Sequence, residues 1–114
     1  METTSPRTIV ERLNRTIHDP VRLAALTVLA SLKEADFKFL LTALGVTKGN
    51  LSTHMDKLAS AGYVKVAKEF LGKIPHTVYS LTPVGRTALN RYWAEMNAIS
   101  PPTVRSRWAR RKET

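Results

Sequence analysis

The chain has 114 residues, enough for one domain and little more, and its 43% hydrophobic content suits a compact core. It holds no cysteine, which excludes disulfides and thiolate metal sites. No apolar run reaches the roughly 18 residues that a membrane helix needs, and the N-terminus lacks an apolar signal-peptide core. A soluble protein of the reducing cytoplasm is therefore expected.

The net charge of +9 is unevenly spread. Residues 1–62 carry eight Lys/Arg against six Asp/Glu, a balance of +2, and residues 63–114 carry ten against three, a balance of +7. Each cation that replaces a counterion on a phosphate adds affinity, so a polyanion is the natural partner. The plain alternative is a basic protein that merely stays in solution.

Taken in chain order, Ser5-Pro6 reads as a cap followed by proline at the first helical position. Ile9, Val10, Leu13 and Ile17 then mark one face of a helix running to about Ile17. Asp19-Pro20 restarts the chain in the same way. The helix from about Pro20 to Leu32 is apolar almost all round and belongs at the centre of the core. A third helix is predicted over Ala35 to Leu44, with Phe37, Leu40, Leu41 and Leu44 on one stripe and Gly45 as a left-handed C-cap. Phe39 points away from that stripe, toward a partner or a neighbouring helix.

Thr47 then caps a fourth helix that ends at Ala61, with Leu51, Met55, Leu58 and Ala59 facing inward. Two helices joined by so short a turn containing glycine form a helix-turn-helix. From Tyr63 the period becomes strand-like: Tyr63, Val64, Val66 and Phe70 alternate with polar residues, Leu71 to Pro75 makes a loop, and Thr77 to Leu81 returns. Thr82-Pro83 opens a long helix to about Ala98, with Val84, Ala88, Tyr92, Trp93 and Met96 on its apolar side. The expected fold is mainly α with a small β-hairpin (α+β): a winged helix-turn-helix with an added N-terminal helix and a long C-terminal helix. It divides into an N-terminal extension (1–16), the winged-helix domain with its C-terminal dimerisation helix (17–98) and a basic, mobile tail (99–114).

Residues 17–92 resemble the winged-helix domains of prokaryotic transcriptional regulators, the MarR/ArsR-like group. The stretches that carry the likeness are Ile17 to Leu23, Asp36 to Met55, Lys57 to Val64 and Leu81 to Arg86. The resemblance implies a homodimer that binds a pseudo-palindromic operator in double-stranded DNA. Two departures stand out. Metal-sensing relatives use Cys or clustered His and carboxylates, whereas His18, His54 and His76 are scattered here, so no metal or other cofactor is expected. Close relatives often carry Arg or Lys where this chain has Thr53, so base preference does not transfer.

On the fourth helix, 100° per residue places Gly49, Asn50, Thr53, Asp56 and Lys57 outward, with Ser52 at their flank. Asn50 could pair with adenine, and Thr53 could offer its hydroxyl or meet a thymine methyl. Lys48 and Lys57 belong near phosphate, and the cap residue Thr47 counts among the DNA-binding residues of this helix. Gly49 costs about 1 kcal/mol of helix propensity relative to Ala, which a close approach to DNA would explain. His54 sits at the edge of the buried face, either donating to phosphate or packed inside. Lys68, Lys73 and His76 bracket the wing, with Gly72 in its turn, for the backbone or minor groove. Arg86 reads as structural or as a phosphate contact.

Ile9, Val10, Leu13, Tyr92, Trp93, Met96 and Ile99 form a candidate dimer interface; packing of the first helix on the last within one chain is the alternative. A protein-interaction or RNA-associated winged helix is the competing function. No glycine-rich phosphate loop, catalytic triad or metal cluster is recognisable, so an enzyme is not expected. The sequence marks no pocket for a small-molecule effector.

Overall fold

The computed structural model describes residues 5–100. Among them are five helices and three strands: α1 (Pro6–Arg12), α2 (Pro20–Ser31), β1 (Ala35–Asp36), α3 (Phe37–Leu44), α4 (Lys48–Ser60), β2 (Val64–Leu71), β3 (Ile74–Leu81) and α5 (Pro83–Ile99). The cap residues set the helix starts. Asp19 accepts from the amides of Val21 and Arg22 at 2.9 and 3.0 Å. Thr47 accepts from Asn50 at 3.2 Å, and Thr82 from Gly85 at 2.9 Å. Proline follows the cap in α1, α2 and α5, where its missing N–H leaves no bond unmade.

The strands form one antiparallel sheet in the order β1-β3-β2. β2 and β3 pair from Val64↔Leu81 to Leu71↔Ile74, and β1 joins through Ala35↔Tyr79 and Asp36↔Val78. The core lies where α2, α3, α4 and α5 meet the inner face of this sheet. Ile17, Ala25, Leu26, Leu29, Leu40, Leu51, Met55 and Leu58 are wholly buried there, joined by Val64, Tyr79, Leu89 and Tyr92. α5 reaches this core through Gly85. A Cβ there would stand 2.1 Å from the carbonyl oxygen of Tyr63, so only glycine lets the helix start lie against the end of the α4–β2 turn.

The architecture matches the expected α+β winged helix, with four local differences. α1 ends at Arg12 rather than near Ile17, because the Asn14 carboxamide accepts from the Ile17 amide at 3.0 Å and draws the chain into a turn. Ala35 and Asp36 are not helical: they pair with β3, and Asp36 becomes the cap of α3 by accepting from the Phe39 amide at 2.6 Å. The wing is longer than predicted and its turn tighter. Leu71, Ile74 and Pro75 are strand residues, and Gly72-Lys73 alone makes the bend, with Gly72 at φ 68°. On α5 the buried row is Gly85, Leu89 and Tyr92, with Ala88 and Met96 partly covered, while Val84 and Trp93 are exposed. The predicted stripe had tracked apolar side chains and omitted Leu89, the residue that the sheet and helices actually enclose. The basic residues from Arg105 to Lys112 lie outside the described residues.

Candidate nucleic-acid interface

The fourth helix is held by one face and open on the other. Leu51, Met55 and Leu58 are 0% exposed, whereas Lys48, Gly49, Asn50, Ser52, Thr53, Asp56 and Lys57 are exposed. The cap and end residues, Thr47 and Ala61, stand where the sequence places them. Nothing among the described residues requires glycine at position 49, since a Cβ there would meet none of their atoms within 4 Å. The Thr53 hydroxyl donates to the Gly49 carbonyl at 3.0 Å. Its proton is therefore taken up by its own helix, leaving the oxygen lone pairs and the methyl for an outside contact.

His54 takes the packed alternative. Its Nδ1 lies 2.8 Å from Nη1 of Arg22, and its side chain is 14% exposed. A guanidinium can only donate, so Nδ1 accepts and the ring proton sits on Nε2. Arg22 also donates through Nε to the Thr16 carbonyl at 2.5 Å and through Nη2 to the Arg15 carbonyl at 3.3 Å. Asp19 completes the group, 4.0 Å from the guanidinium and 3.7 Å from His54. Burial alone would raise the Asp19 carboxyl. The Arg22 amide, the Arg22 guanidinium and the Val21 amide outweigh it and hold the group below its usual value. The sequence carries one hint of this cluster: Arg22 is the single cation inside an otherwise apolar helix, one turn from its cap.

The wing differs from the basic loop that was expected. Lys73 occupies the turn and Lys68 is exposed on β2 across from Thr77. His76 is drawn back from the tip, half-buried with its Nε2 3.8 Å from the Asp36 carboxylate, and Glu69 pairs across from it. The tip itself is apolar: Phe70, Leu71 and Ile74 are 71%, 61% and 69% exposed. Sequence alternation hid this, because it assigns strand residues to a buried face and this stretch of ribbon has no layer over it. Arg86 donates to the Ala30 carbonyl at 3.3 Å, tying α5 to the end of α2, the structural reading.

The residues proposed for a dimer interface separate into two groups. Tyr92 is 2% exposed and its hydroxyl is 2.8 Å from Nδ1 of His18; burial raises its pKa. Leu13 and Met96 pack against the same core, and Ile9 and Ile99 are half-buried where α1 lies beside the end of α5. Tyr92 is thus a core residue, not an interface residue. Val10 and Trp93 remain open, at 59% and 49% exposure.

An anchored helix with a polar outer face, following a short turn and leading into a β-hairpin, defines a winged helix-turn-helix. Residues 21–100 match the family model described as a winged helix DNA-binding domain, and the chain belongs to that family. An uncharacterised protein of Methanocaldococcus jannaschii is 32% identical over 80 residues, spanning 70% of this chain and 87% of that protein. A transcriptional regulator homologue from Pyrococcus horikoshii superposes with a TM-score of 0.72 at 28% identity, over 82% of this chain and 90% of that one. A MarR family transcriptional regulator from Silicibacter pomeroyi shares the fold, with a TM-score of 0.58 at 22% identity over 94% of this chain and 73% of its own. Both structural relatives are described as a transcriptional regulator or a homologue of one. No helix among the described residues is long and apolar enough to cross a membrane.

Proposed function

We propose that the protein is a homodimeric transcriptional regulator that binds double-stranded DNA with sequence specificity, α4 lying in the major groove and the wing against the backbone or minor groove. The observation that carries this reading is the outer face of α4. Asn50, Ser52 and Thr53 offer base-reading groups from a helix whose opposite face is locked in the core, and Lys48 and Lys57 flank them. Thr47 and Gly49 bring the helix start close to the duplex, and Lys68 and Lys73 supply charge from the wing. His54 acts from beneath, holding the helix to Arg22.

Val10 and Trp93, with Val84, give α1 and α5 exposed apolar surface that a second copy would cover. A dimer of this kind sets its two recognition helices about 34 Å apart, one turn of duplex.

Selection from random duplex DNA, followed by binding of the selected site at physiological salt, tests the reading. The parent protein should prefer the selected site, and the double variant N50A/T53A should lose that preference while unfolding at the parent temperature. Equal binding to every duplex would overturn sequence specificity. Unchanged recognition by the double variant would favour a protein-interaction or RNA-associated module. Trp93→Glu should shift the sedimentation coefficient from dimer to monomer.

A further inference from the structure

Beside the recognition helix, and apart from the wing, runs an open groove of about 660 Å³. One wall is the turn between α1 and α2, with Arg15 and Thr16; the other is the C-terminal half of α4, with Thr53, Asp56, Lys57, Ser60 and the following Ala61. No residue of β2 or β3 lines it. Its floor is Arg22, which binds both walls at once: Nε and Nη2 hold the carbonyls of Thr16 and Arg15, and Nη1 holds His54 of α4.

The separation of these walls is therefore fixed before any ligand arrives. The guanidinium of Arg22 is committed to the protein and lies near Asp19. Arg15 and Lys57 are different. Their side chains are exposed, one on each wall, and neither has an ion-pair partner among the described residues. Thr16 and Ser60 add hydroxyls between them. Against three cations the lining has one carboxylate, Asp56, so the groove carries a positive excess. A phosphodiester, singly negative and able only to accept hydrogen bonds, fits that lining. It is also what a helix in the major groove meets at its sides, where the strands of the duplex pass.

We propose that this groove seats a backbone phosphate of DNA, gripped by Arg15 from one wall and Lys57 from the other, with Arg22 as the positioning residue that sets their spacing. The proposal rests on the DNA-binding reading and adds a backbone contact that the wing does not provide. It also explains why a buried arginine ties a surface turn to the recognition helix: the turn carries half of a phosphate site.

The test is anisotropy of a labelled mixed-sequence duplex titrated with the full chain over about 0.05 to 0.3 M salt, using Arg15→Gln, Arg15→Lys and Lys57→Gln. Arg15→Gln should weaken binding roughly three- to tenfold at physiological salt and make the log–log salt slope shallower by about 1. Arg15→Lys should restore the slope, because it keeps the charge. Combined with Lys57→Gln, the loss should fall short of the product of the single losses, since both residues serve one phosphate. Parent-like affinity and slope in Arg15→Gln would overturn the phosphate seat and leave the DNA-binding reading standing. A parent protein that binds no duplex would overturn both.

Discussion

The recognition helix and the wing are adjacent in sequence and opposite in construction. α4 buries Leu51, Met55 and Leu58 completely and is tied by His54 to Arg22, so its outer residues stand on a fixed platform. The far end of the β2–β3 ribbon has only its own strand pairing, and Phe70, Leu71 and Ile74 project from it largely uncovered. Packing fixes the first region; backbone hydrogen bonds alone shape the second. Base readout needs side chains held in register, whereas contact with a backbone or a shallow groove tolerates a ribbon that adjusts. The roles proposed for α4 and for the wing agree with how each region is anchored.

The largest break in this comparison should come from the platform. Leu51→Ala leaves a cavity under α4 and should cost about 2–5 kcal/mol, read as a lowered midpoint in urea. A cost near zero would mean that the helix is not held from below. Next comes the junction that brings α5 against the base of the wing. Gly85→Ala drives a methyl into the Tyr63 carbonyl and should destabilise by about 1–3 kcal/mol, with thermal unfolding as the measure. An unchanged midpoint would show that the helix start can simply move away.

Asp19 gives a smaller and more diagnostic effect. Asp19→Ala removes the cap of α2 and should cost about 1 kcal/mol. Asp19→Asn keeps a capping oxygen but not the charge beside Arg22. The folded carboxyl is held below its unfolded value, so its stabilisation is complete above the ordinary carboxylate range and is lost as pH falls through the depressed folded value. The parent should therefore lose stability on acidification in a step that Asp19→Asn lacks. Parallel acid curves for the two proteins would count against the charge contribution.

The smallest effect belongs to the wing tip. Ile74→Thr should alter stability by no more than about 0.5 kcal/mol, because the side chain leaves no core behind. A large loss there would mean that the tip is packed in a way its exposure does not suggest.

Local chemistry made much of the fold legible. Asp19-Pro20, Thr47 and Thr82-Pro83 are caps whose hydrogen bonds span two or three residues, so the starts of α2, α4 and α5 follow from sequence. The inward row of α4 and its polar outer face also follow from periodicity alone. What lay beyond reach depends on groups far apart in the chain. β1 is two residues with no strand pattern, and it exists because β3 offers a free edge. His54 could be placed only at a boundary until Arg22, 32 positions earlier, came beneath it. Tyr92 appeared suited to a partner until the ring of His18, 74 residues away, took its hydroxyl.

The sequence by itself determined where α1, α2, α4 and α5 start, where the period changes and which face of α4 meets solvent, since caps and side-chain periodicity act over one or two turns. Only the tertiary structure decided that Arg15, Arg22 and Lys57 line one groove beside that face, and that Phe70, Leu71 and Ile74 near the turn of the wing stay uncovered. Burial and long-range pairing arise when distant segments share one space, and no local pattern records which segments will meet.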